Sequence, residues 1–173
     1  MEITLTRARI RSWVPGDAAS LARHADNPNV WRRLRDRFPH PYTLRDARRF
    51  IRTARRARPE TVFAIALGDE AVGGIGFHPR DDVYRRTAEI GFWLGQDFWG
   101  RGIATEAVRA VVAHAFSHHD LHRIEAYVFE GNLASGRVLE KAGLVLEGTL
   151  RGRVVKDGRT LDERIYAIVR GRG

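Results

Sequence analysis

The chain has 173 residues, a net charge of +9, 43% hydrophobic residues and no cysteine. That length fits a single domain over residues 1–173 with enough interior for a substantial core, and the missing cysteines exclude disulfides, thiolate metal sites and a cysteine acyl-enzyme. No apolar run reaches the length of a membrane span and Met1-Glu2-Ile3-Thr4-Leu5 lacks a signal-peptide layout, so a cytoplasmic protein without membrane contact is the expectation.

Ile3 to Arg11 alternates imperfectly and predicts a first strand. After Pro15-Gly16, Asp17 is placed to cap a short helix carrying Ala18, Leu21, Ala22 and Ala25, which Asn27-Pro28 ends. A second short helix is expected around Val30, Trp31 and Leu34, then an irregular loop at Phe38-Pro39-His40-Pro41. Thr43 and Asp46 form a capping-box pattern that opens a helix running to about Ala57. Strands follow over Thr61 to Leu67, Ala71 to His78 and Thr87 to Leu94, the first two joined by a Gly68-Asp69-Glu70 turn.

Beyond Leu94 comes Trp99-Gly100-Arg101-Gly102-Ile103-Ala104-Thr105, where a strand pattern gives way to a helix of about Gly102 to Ser117. Its apolar residues Ala107, Val108, Val111, Val112, Ala115 and Phe116 recur at helical spacing. The first turn of such a helix has backbone N–H groups with no intrahelical partner, and its dipole concentrates partial positive charge there. Gly100 and Gly102 let an anion approach the main chain, and Arg101 adds a formal charge, so a pyrophosphate is the natural occupant; a plain tight turn is the other reading. The triphosphate-binding pattern G-x-x-x-x-G-K-[ST] is absent, and Thr105 holds the place of the third glycine of a dinucleotide fingerprint.

Downstream, His122 to Phe129 reads as a strand leading into a helix from Asn132, and Leu144 to Val155 with Thr160 to Val169 predicts a hairpin across Lys156-Asp157-Gly158. The whole is an α/β (α+β) arrangement: a mixed, mainly antiparallel sheet of about seven strands flanked by about four helices. His118, His119, Asp120 and His122 sit at a helix end and turn, where histidines commonly meet water, and no metal site is expected there.

The Trp99 to Ala104 loop resembles the acyl-CoA-binding loop of the GNAT superfamily of N-acetyltransferases, whose pattern is Gln/Arg-x-x-Gly-x-Gly/Ala. Gly102 and Ala104 fill the last two marked positions, while Trp99 stands in place of Gln or Arg. The run from Asn132 through Ser135 to Gly143-Leu144 is similar to the family's Asn-x-x-Ser/Ala helix ending in Gly-Phe/Leu. Glu147-Gly148-Thr149-Leu150-Arg151, together with Ala88 to Leu94, resembles the RimJ/RimL-type branch, named for ribosomal-protein N-terminal acetylation.

The resemblance implies a GNAT-like fold whose sheet splays between the strand ending near Leu94 and the one near Tyr127 to admit CoA. It implies acetyl-CoA as co-substrate, no metal, and direct acetyl transfer in a ternary complex to a primary amine, either a protein N-terminus or a small molecule. Cofactor contacts would come from Phe92, Trp93 and Leu94, from Trp99, Gly100, Arg101, Gly102, Ile103, Ala104 and Thr105, and from Asn132 and Ser135. Glu89 matches the family's acidic base; an ion-paired carboxylate, with Arg85, Arg86 or Arg123 as partner, is the structural alternative, and His78 is the second candidate base. Leu139 occupies the place of a common family tyrosine, which leaves Ser135 to meet the leaving sulfur. Helix capping would explain Asn132, and support of the helix start Ser135, without any catalytic role. Val154 stands where RimL-type chains carry an acid.

Trp31, Phe38 and His40 fall in the helix-loop region that covers the acceptor side in this fold, where core packing also explains Trp31 and Tyr42; the Pro79 to Tyr84 loop adds acidic groups for a cationic amine. The basic charge is compatible with CoA, RNA or a ribosomal surface, and the arginines from Arg45 to Arg58 also suit a helix face turned to water. A monomer or homodimer is implied by the resemblance. The competing class is a non-catalytic acyl-CoA- or RNA-binding module on the same fold.

Overall fold

The computed structural model describes residues 1–171; positions 172 and 173 of the expected domain lie outside them. The described residues contain eight strands, β1 (Glu2–Thr4), β2 (Arg9–Arg11), β3 (Val62–Leu67), β4 (Glu70–Pro79), β5 (Thr87–Leu94), β6 (Arg123–Phe129), β7 (Val145–Lys156) and β8 (Arg159–Val169). Five helices accompany them: α1 (Ala18–Ala25), α2 (Pro28–Trp31), α3 (Leu44–Arg56), α4 (Ile103–His118) and α5 (Leu133–Lys141). The ladder order is β1-β2-β3-β4-β5-β6-β8-β7. Two compact units divide the chain, one of Met1–Gly76 with Phe92–Ala107, the other of Phe77–Gly91 with the residues from Val108 onward.

In the first unit, the expected strand from Ile3 to Arg11 is two strands, which raises the count from seven to eight. β1 and β2 pair antiparallel with Glu2 opposite Arg11, and the chain turns where the Leu5 N–H donates to the Ala8 carbonyl at 2.8 Å. The broken alternation is the sequence trace of that turn. Asp17 also departs from expectation. Its carboxylate does not cap α1; it accepts the Val14 N–H at 2.9 Å and both terminal nitrogens of Arg11 at 2.7 Å. A buried charge needs a paired partner more than a helix end needs a cap. The Thr43–Asp46 capping box does open α3.

Trp13, Leu21, Ala25, Tyr42, Ala47, Ile51, Ala54 and Ala64 form this unit's core, with Phe38 and Trp93 packed against it. Two glycines of β4 let Trp93 come close. A Cβ on Gly73 would lie 2.5 Å from the Trp93 carbonyl oxygen, and one on Gly74 would lie 2.8 Å from the Trp93 indole nitrogen. Because the first obstacle is backbone, Gly73→Ala should lower stability by about 1–3 kcal/mol, read as a drop in thermal midpoint. Gly16→Ala, whose Cβ meets nothing within 4 Å, is the control and should leave the midpoint nearly unchanged. Equal midpoints would contradict the close approach.

In the second unit, β6 pairs antiparallel with β8 and β8 with β7, and the predicted hairpin turn holds Asp157 and Gly158 at φ of 51° and 71°. Two successive positive φ values are what a two-residue hairpin loop requires, and Asp-Gly supplies them. β5 runs parallel to β6, a geometry that needs a crossover, here α4. Their ladder holds only three pairs, Thr87–Arg123, Ala88–Ile124 and Glu89–Glu125, although each strand continues beyond it.

Candidate active site

The phosphate-type loop lies in the first unit. Gly100 and Gly102 adopt φ of +74° and +79°, and a Cβ at either position would meet nothing within 4 Å. Both glycines are therefore required by conformation, and the space beside them is open to a ligand at the start of α4. Trp99 stands where the family pattern has Gln or Arg. Its indole N–H donates to the Leu94 carbonyl at 2.7 Å and the Arg33 guanidinium lies 4.3 Å from its ring centre, so it fastens the loop to the end of β5. Arg101 donates to the Asp97 carbonyl at 2.7 Å and covers the Phe98 ring, while its own carbonyl accepts from Arg7 at 3.2 Å. Ile103, Ala104 and Thr105 form the first turn of α4.

The expected acceptor-side residues fall into two aromatic groups. Trp31 stacks on His40 with ring centres 5.5 Å apart. Phe38 lies between Tyr42, at 4.8 Å, and Trp93 of β5, at 5.6 Å. Tyr42 is core, its hydroxyl pKa pushed up to about 12 by burial and then by the Asp46 charge. Phe38 thereby touches a residue of the expected cofactor strand.

The second unit carries the titratable groups. Glu89 and Glu125 are register partners in the parallel ladder, so two carboxylates project side by side. Such a pair needs a cation, and Arg80 supplies it: its guanidinium lies 2.6 Å from Glu125, 3.1 Å from the Tyr127 hydroxyl and 3.9 Å from Glu89. Tyr127 in turn donates to Glu125 at 3.0 Å, and burial together with that bond raises its pKa. The partners considered for Glu89 are engaged elsewhere, Arg85 with the Asp82 carbonyl, Arg86 with Asp120, and Arg123 with Glu125 and Glu147. Arg80, Glu125 and Tyr127 were not singled out as a set from the sequence; Glu125 and Tyr127 share one face of β6 at two-residue spacing, and Arg80 reaches both from just past the end of β4. His78 is exposed at the end of β4.

Asn132 and Ser135 are joined as their spacing suggests. The Asn132 side chain accepts the Ser135 N–H at 3.4 Å and donates to the Ser135 hydroxyl oxygen at 3.0 Å. The serine oxygen is thus held while its proton remains available to donate. Beside them, Gly136 makes room for Tyr166, whose hydroxyl lies 2.6 Å from where a Cβ would stand. Among the histidines, His114 and His118 stack at 4.3 Å and His119 packs edge-on to Phe77.

Hydrogen bonds from Arg123 hold the Glu147 carboxyl below its ordinary 4.5, and those from His24 and Arg23 do the same for Glu70. A carboxyl depressed on folding stabilises the fold above its unfolded pKa and loses that contribution as pH falls through the folded value. The melting temperature should therefore decline on the acid side of about pH 4–5, and Glu147→Gln should flatten part of that limb. An unchanged acid limb in the variant would remove Glu147 from the account.

The GNAT acetyltransferase domain family matches residues 7–145. An uncharacterized N-acetyltransferase of Bacillus subtilis, YoaA, is 42% identical over 60% of this chain and 58% of its own length. The ribosomal-protein-serine acetyltransferase of Escherichia coli is 32% identical over 61% of this chain and 59% of that protein. The matched region thus spans less than two thirds of these relatives. The solved structure of Mycobacterium smegmatis RimJ in complex with CoA-disulfide is similar with a TM-score of 0.82 at 28% identity, covering 94% of this chain and 81% of that one. With a family match across most of its length and a mixed sheet carrying the glycine loop between β5 and α4, the chain belongs to the GNAT acetyltransferase family.

Proposed function

We propose that the chain is an acetyl-CoA-dependent N-acetyltransferase that moves the acetyl group directly to a primary amine in a ternary complex, with a protein N-terminal α-amine as acceptor and the cytoplasm as its setting. The observation that carries the cofactor is the pair of left-handed glycines with open space beside them at the start of α4, a cradle that any side chain would fill. The similarity to a RimJ solved with CoA-disulfide and to a ribosomal-protein-serine acetyltransferase supports the cofactor and the acceptor.

In this reading Gly100, Gly102 and the first amides of α4 hold the pyrophosphate, and the backbone of Phe92, Trp93 and Leu94 binds the pantetheine arm. The amine nitrogen attacks the thioester carbonyl carbon; the C–N bond forms, the C–S bond breaks, and CoA departs as a thiolate. A backbone N–H of β5 stabilises the oxyanion, a contribution on the order of a hundredfold or more. Glu89 accepts the proton of the amine through a water, and Ser135, its oxygen fixed by Asn132, donates a hydrogen bond to the leaving sulfur. Trp31, Phe38 and His40 contact the acceptor.

The test is thiol release from acetyl-CoA against serine- and alanine-initiated peptides, polyamines and aminoglycosides. Release with the peptides supports the proposal; release with small amines alone moves the acceptor to that class. No release with any acceptor contradicts the enzyme.

A further inference from the structure

Six arginines of α3, Arg45, Arg48, Arg49, Arg52, Arg55 and Arg56, are all exposed. Ala47, Ile51 and Ala54 anchor the opposite side of the helix in the core, so the arginines face solvent. At a rise of about 1.5 Å per residue, the row from Arg45 to Arg56 runs about 16 Å. Asp46, the one acid of α3, is committed to the Thr43 cap and to Arg49 at 2.9 Å. Among the described residues the other five guanidinium groups have no ion pair. Like charges three and four residues apart on a helix repel, so the face carries an electrostatic cost that a polyanion would relieve.

We propose that this face of α3 binds the phosphate backbone of single-stranded RNA. The planar guanidinium fork matches a phosphate, and charge alone suffices for such binding through counterion release. An acidic protein partner would need apolar or aromatic anchors near the centre of its contact. Apart from the arginines, the exposed residues of α3 are Leu44, at its first position, and Thr53. A flexible single strand can follow a convex helix face, whereas a duplex that stays straight over about 150 base pairs touches it at fewer phosphates.

The test is fluorescence anisotropy of a labelled oligouridylate with the full chain between 50 and 200 mM salt. Affinity should fall with salt at a log–log slope of about −3, from about 0.7 per phosphate contact over four or five contacts. Arg48→Glu with Arg52→Glu should weaken binding roughly tenfold or more and reduce the slope by about 1.4, while Arg85→Glu with Arg159→Glu makes the same charge change elsewhere and should have little effect. Arg45→Gln with Arg55→Gln is the milder pair should the first fail to fold, and should also weaken binding. Equal losses in the α3 and control pairs, duplex DNA binding as tightly, polyglutamate competing as well as RNA, or no binding at 50 mM salt would each overturn the proposal.

Discussion

Glu89→Gln should lower kcat by roughly 10²–10⁴-fold while leaving the acetyl-CoA dissociation constant within about twofold. Glutamine keeps the size and hydrogen-bonding reach of the side chain but cannot take the proton that the acceptor's ammonium group must lose to become the attacking amine. The substitution therefore isolates basicity from packing. Its setting makes the split readable, because Glu125, not Glu89, takes the close contact with Arg80, at 2.6 Å against 3.9 Å. Removing one charge from the pair leaves that anchor in place. If the variant retains full turnover across pH, the base lies elsewhere; if it loses cofactor affinity in proportion to turnover, Glu89 is a structural carboxylate. Ser135→Ala should show the same split more weakly, since it removes one hydrogen bond to the sulfur.

The second large effect is expected on binding alone. Gly102→Val should weaken acetyl-CoA binding at least tenfold with a modest loss of thermal stability. A side chain at φ +79° costs about 1–2 kcal/mol in the backbone, yet no protein atom stands within 4 Å of the new Cβ, so the fold can accept it. The space it occupies is the space a phosphate must enter, and the bulky methyl groups would hold the anion off the amides of α4. Gly16→Ala again serves as the neutral comparison. Undiminished binding in Gly102→Val would show that the pyrophosphate lies elsewhere.

What was legible in the sequence is local. The Thr43–Asp46 box, the Asp157-Gly158 turn and the Asn132–Ser135 contact each join residues within three positions, where side-chain chemistry and backbone conformation determine each other. The glycine loop was legible for the same reason. Contacts made by register were not. Glu89 and Glu125 meet only because β5 and β6 align in parallel across α4, and sliding that alignment by one residue would separate the two glutamates. Gly136 gives no local sign that it is reserved for the Tyr166 hydroxyl, thirty positions on. Asp17 read as a cap because its neighbours look helical, yet its own burial beside Arg11 decided its partner. Trp99 read as a departure from the loop pattern that still contacts the cofactor; that its indole ties the loop to Leu94 had no sequence signal.

Everything proposed for this site depends on the loop before α4 loading acetyl-CoA for transfer to an amine. Calorimetric titration of acetyl-CoA into the protein, followed by thiol release on adding N-terminal peptides to the same preparation, tests it most directly. One-to-one binding is expected, with a dissociation constant on the order of micromolar to submillimolar, and thiol release only when acceptor is present. A titration with no binding would contradict it.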